Sequence, residues 1–132
     1  MRKILVAEDN AAVGGCISLL LITNGFEIVS ASNGEKAFSI LSEHPDISLI
    51  VLDLEMPYMN GYEFLKSKRN GHLASIPVVI FTANHKVYVD GEQVRAVLVK
   101  PIQQDEIVHT ISNVLQKLEL EKSNEPTYGE EQ

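Results

Sequence analysis

The run Leu49-Ile50-Val51-Leu52 is apolar at every position and stops at Asp53, after which Pro57, Asn60 and Gly61 break the chain. A strand with one wet face alternates apolar and polar residues. A run without alternation is buried on both faces, as in the interior of a parallel sheet covered by helices. Its neighbours agree, because short apolar runs alternate along the chain with longer amphipathic segments, the pattern of an α/β protein.

The pattern predicts five strands. Lys3 to Ala7 is the first, followed by Val13, Ile17, Leu20 and Leu21 at helical spacing up to a stop at Asn24-Gly25. Phe26 to Ser30 is the second, and Ser32 or Asn33 caps a helix carrying Ala37, Phe38 and Leu41 that ends before Pro45. Ser48 to Asp53 is the third. A third helix runs from near Asn60 to Asn70-Gly71, strand four is Pro77 to Thr82, strand five is Arg95 to Val99, and the last helix repeats Ile107, Ile111, Val114, Leu115 and Leu118. Residues 83–94 have little apolar helical periodicity and hold an Asp90-Gly91 turn signal, so the expected fourth helix is short, displaced or missing. Residues 1–120 read as one domain, and the polar stretch 121–132 as a disordered tail or linker stub.

Composition narrows the partners. A net charge of −7 without a basic stripe argues against direct nucleic-acid binding, which draws its affinity from clustered Lys and Arg. Cys16 is alone, so no internal disulfide forms. The start "MRKILVAED" meets acid too early for a signal peptide, and no apolar run is long enough to cross a bilayer.

In a parallel sheet the residues just past the strands' carboxyl ends gather along one edge, where ligands bind. That edge collects Glu8 and Asp9, Asp53, Thr82, and Lys100 with Pro101. A carboxylate at position 8 or 9 also suits the N-cap of the next helix. For Asp53 capping explains less, since its helix begins several residues later. Two carboxylates about 5 Å apart repel by roughly 3 kcal/mol at an effective dielectric near 20. Three acids against one amine leave a negative pocket whose oxygen donors suit Mg²⁺; without His or Cys nearby, zinc does not fit.

With "ILVAEDN", "LIVLDLEMPYMNGYEF", "PVVIFTA" and "VLVKP" in this order, the chain resembles the response-regulator receiver domains of two-component signalling from about Lys3 to Leu118. The resemblance implies a doubly wound five-stranded parallel sheet in the flavodoxin-like order 2-1-3-4-5. It implies that Asp53 accepts a phosphoryl group from a phosphohistidine on a histidine kinase or phosphotransfer protein. Mg²⁺ would be held by the Asp9 and Asp53 carboxylates, the Glu55 backbone carbonyl and, through water, Glu8. Thr82 and Lys100 would bind the phosphoryl oxygens, and the peptide bond before Pro101 would be cis. Glu55 and Asn84 occupy places where side chains influence loss of the phosphoryl group to water. By the same resemblance the protein is cytoplasmic, is a phosphoacceptor rather than an enzyme in the ordinary sense, and acts through a downstream protein target. A homodimer through the face of the fourth helix, fifth strand and fifth helix is compatible with it.

Two features depart from the family. Its switch pairs the threonine with an aromatic three residues before the lysine, where this chain has Val97, and the segment from Thr82 to Lys100 is short. They keep open a receiver-like interaction module that signals without phosphorylation. A flavin protein of similar architecture needs a Ser/Thr/Gly-rich loop where this chain has Glu8-Asp9. A phosphohydrolase with an Asp nucleophile needs a second Asp two residues on, where this chain has Glu55.

Overall fold

The computed structural model of the chain describes residues 2–69, 72–83 and 93–123. Five strands, β1 (Lys3–Ala7), β2 (Glu27–Ala31), β3 (Ile47–Asp53), β4 (Val78–Thr82) and β5 (Val94–Val99), form one parallel sheet in the order β2-β1-β3-β4-β5. The helices described are α1 (Ala11–Thr23), α2 (Gly34–Glu43), α3 (Gly61–Arg69) and α4 (Gln104–Ser123), with a single 3₁₀ turn at His72–Ser75. This is the doubly wound sheet and the strand order that the resemblance implies. The second strand sits one residue later than expected, ending at Ala31. The expected short fourth helix, with Asn84 and the Asp90-Gly91 turn, falls on 84–92, outside the described residues. The last helix continues three residues past Leu120, to Ser123.

The pleat divides the core into two layers. Side chains alternate between the faces of a strand. Leu5, Ile50, Leu52, Val78 and Ile80 therefore pack with Ala37 and Leu41 of α2 and Phe64 and Leu65 of α3. Ile4, Val6, Leu49, Val51, Val79, Phe81 and Leu98 pack with Ile17 and Leu21 of α1 and Ile107, Ile111, Val114 and Leu115 of α4. The middle strand contributes to both layers, which is why Leu49 to Leu52 carries no polar residue.

Helix ends follow local chemistry. The Asn10 side chain accepts from the amides of Ala12 and Val13 and so caps α1. The carboxylates of Glu8 and Asp9 are thereby left out of the capping role open to them by sequence. Asn24 closes α1 and Gly25 follows with φ +93°, where a side chain would be strained. Asn33, not Ser32, caps α2. Asn60 and Glu63 bond each other's amides at the start of α3, a reciprocal cap that anchors the loop leaving Asp53.

That loop folds back tightly on the strand. The Gly61 amide donates to Leu54 O at 3.0 Å, and a Cβ on Gly61 would lie 2.6 Å from Leu54 Cα and 2.8 Å from Asp53 O. Gly61→Ala should therefore destabilise the fold by about 1–3 kcal/mol, the usual range for overpacking. Urea unfolding measures this, and an unchanged midpoint would show that the loop yields without cost.

Candidate functional site

The same alternation that builds the core aims the chemistry. Glu8 continues the column Ile4, Val6 beyond β1; Asp53 ends the column Leu49, Val51 on β3; Lys100 continues Ala96, Leu98 beyond β5. All three point to the α1 and α4 side of the sheet edge. Asp9 follows Glu8 on the rim and is exposed, while Glu8 and Asp53 are buried. One carboxylate oxygen from each of Glu8, Asp9 and Asp53 lies within 4.8 Å of the others. At that spacing a pair of charges costs roughly 3 kcal/mol at an effective dielectric near 20.

Lys100 is the cation facing this crowd. Its ammonium donates to Glu8 Oε1 at 2.9 Å and stands 3.7 Å from Asp53 Oδ2. It also lies over the ring of Phe81, 4.7 Å from the centroid. The Lys100–Pro101 peptide is cis, as the resemblance implies, and the Lys100 amide bonds Thr82 O at 2.7 Å. Asp53 Oδ1 accepts from the Glu55 amide at 3.0 Å, so the carboxylate has one oxygen on the backbone and the other toward the amine. Thr82 is fully buried at the end of β4, directly after Phe81, the cross-strand partner of Asp53.

Burial raises the Glu8 carboxyl above its ordinary pKa, and its hydrogen bond with Asp53 adds to the rise, while Lys100 pulls against it. The pocket holds more negative charge than one amine offsets. Its donors fit a hard divalent cation: three carboxylates, one on the open rim, with no thiol or imidazole among them.

The structure thus brings together Glu8, Asp9, Asp53 and Lys100 and places Thr82 and the Glu55 amide beside them. Asn84 lies outside the described residues. Val97 lies on β5 with 38% of its surface exposed, and no ring is present at that position. Two residues stand out only in the structure. Phe81 is set beside the site by its register against Asp53. Tyr58, in the loop after Asp53, has φ +68° and is 83% exposed, a backbone state that bulky residues seldom adopt.

Comparison with known proteins agrees with the geometry. The response regulator receiver domain family matches residues 4–112. The two-component response regulator ORR5 of Oryza sativa subsp. japonica is 32% identical over 117 residues, covering 85% of this chain and 87% of that protein. The probable transcriptional regulator ycf27 of Porphyridium aerugineum is 34% identical over 128 residues, covering 93% of this chain and 52% of its own length. This chain thus spans about half of that regulator. Among solved structures, the receiver domain of the hybrid histidine kinase CckA superposes with a TM-score of 0.74 at 31% identity, covering 86% of this chain and 99% of that one. A receiver domain protein from Clostridium thermocellum superposes at 0.79 with 24% identity, covering 91% and 98%, a likeness of fold.

The Glu8 shift has a measurable sign. With its folded pKa raised, Glu8 favours the fold while protonated, below the ordinary glutamate range at about pH 4. That contribution is lost as pH rises through the folded value. In metal-free buffer Glu8→Gln should raise the thermal midpoint at pH 7, and the gain should shrink toward pH 4. A midpoint lowered at pH 7 would mean that the ion pair with Lys100 outweighs the crowding.

Proposed function

This chain belongs to the response regulator receiver domain family, and from that membership we propose that it is a phosphoacceptor whose acceptor is Asp53. The observation that carries the reading is the Asp53 carboxylate, buried at a strand end, held by the Glu55 amide on one oxygen and facing Lys100 on the other.

On this reading a carboxylate oxygen of Asp53 forms the new P–O bond as the P–N bond of a donor phosphohistidine breaks. The electron pair stays on the imidazole nitrogen, which takes a proton from water. Phosphoryl transfer asks a protein mainly for positioning and charge neutralisation. The Glu55 amide fixes the direction of the nucleophile, and Lys100 meets charge spreading over the equatorial oxygens. Thr82 supplies a hydroxyl to the modified state. Asp9, Asp53 and the Glu55 carbonyl would hold Mg²⁺, with Glu8 reaching it through water. The bound ion supplies the positive charge that makes approach of a phosphoryl group to these acids tolerable. Ala83, small and exposed, leaves the space beside the acceptor open.

The reading extends to partners. A histidine kinase or phosphotransfer protein supplies the phosphoryl group, and the added charge of about −1.5 to −2 changes a surface read by a downstream protein. The site needs no nucleic-acid contact. A homodimer through the face that carries β5 and α4 fits the scheme, as does a cytoplasmic setting. No helix among the described residues is long and apolar enough to cross a membrane. The receiver takes in α4 as far as Ser123, and the residues that follow are its tail or linker stub.

Incubation with Mg²⁺ and acetyl phosphate, followed by intact mass, tests this. Wild type should gain one phosphoryl group and Asp53→Asn none, while Asp9→Ala should keep its fold and lose at least tenfold in Mg²⁺ affinity, as removal of a charged ligand implies. A wild type without the adduct would favour an interaction module that signals without phosphorylation, and an adduct equal in Asp53→Asn would overturn Asp53 as the acceptor.

A further inference from the structure

Lys100 has carboxylates on one side and an aromatic face on another. Its side chain is only partly covered, and its flexible four-carbon stem would let the ammonium swing into water or collapse fully onto Glu8. Of the two acids it already sits nearer Glu8, at 2.9 Å against 3.7 Å for Asp53. The Phe81 ring, 4.7 Å from the ammonium nitrogen, is the group that meets it from within the sheet.

Phe81 is well placed for this. It pairs in register with Asp53 on one side and Leu98 on the other, so its side chain leaves the sheet on the same face as both. The ring is 6% exposed and locked among the α1 and α4 core residues. An ammonium over such a face is attracted by the negative face of the ring, the more so where water is excluded. An aliphatic residue would fill the core there but offer no such face.

We propose that Phe81 is a positioning residue for the site: its ring holds the Lys100 ammonium between Glu8 and Asp53, where it meets the incoming phosphoryl group. The proposal rests on the phosphoacceptor reading. It names Phe81 as acting through Lys100, without touching the reacting atoms.

Three proteins test it: wild type, Phe81→Tyr, which keeps a ring face, and Phe81→Leu, which keeps an apolar core. In the NMR spectrum of unphosphorylated wild type the Lys100 ε-methylene protons should be displaced upfield by the ring current. The displacement should persist in Phe81→Tyr and vanish in Phe81→Leu. Phosphorylation by acetyl phosphate with Mg²⁺, followed by intact mass, should be about two- to tenfold slower in Phe81→Leu, the fold-change such an interaction implies, and should recover in Phe81→Tyr. Absence of the upfield displacement in wild type overturns the proposal whether or not either variant folds. A Phe81→Leu rate equal to that of a phosphorylating wild type overturns the positioning role and leaves the phosphoacceptor reading standing. A wild type that takes no phosphoryl group overturns both.

Discussion

The structure is organised around a repulsion. Glu8 and Asp53 come from neighbouring parallel strands, point to the same face, and with Asp9 place three carboxylate oxygens within 4.8 Å of one another. Water would screen them at the surface, but Glu8 and Asp53 are buried. Such an arrangement survives because the rest of the fold holds it. The apolar columns below the acids fix their direction, the Gly61 turn closes the chain behind Asp53, and Lys100 is brought over from the far side of the sheet. Burial first, and the neighbouring Asp53 second, raise the pKa of Glu8 against the pull of that amine.

Much of this was legible in the chain. An all-apolar run ending in an acid implies a strand buried on both faces, and the parallel sheet that follows sends every strand's carboxyl end to one edge. Glu8, Asp9, Asp53, Thr82 and Lys100 could be gathered from that rule. What pattern could not decide was competition between neighbours of similar chemistry. Glu8, Asp9 and Asn10 can each cap a helix, and only backbone geometry assigns the task to Asn10. Ser32 and Asn33 posed the same ambiguity.

Two side chains were hidden for a different reason: their roles arise from pairing across the sheet and between layers. Phe81 looks like any core aromatic until the β3–β4 register sets it beside Asp53. Lys68 looks like a surface lysine on α3, yet it is fully buried, donating to Ala74 O at 3.1 Å and Gln93 Oε1 at 2.9 Å. Gln93 in turn donates to Leu65 O, so a buried amine ties α3 to the entry of β5. The strand that leads into Lys100 is thus fastened at its other end to α3, the helix that follows the Asp53 loop. Val97, exposed on that strand, shows that transmission through an aromatic ring at this position is not available to this chain.

On the phosphoacceptor reading this crowd of acids receives a cation and a phosphoryl group together. A crystal structure grown with Mg²⁺ and the phosphoryl mimic trifluoroberyllate tests it most directly. The mimic is expected on Asp53, the metal on Asp9, Asp53 and the Glu55 carbonyl, and the Lys100 ammonium moved onto a fluorine. A mimic absent from Asp53 at saturating concentration, or a metal held by other groups, would contradict it.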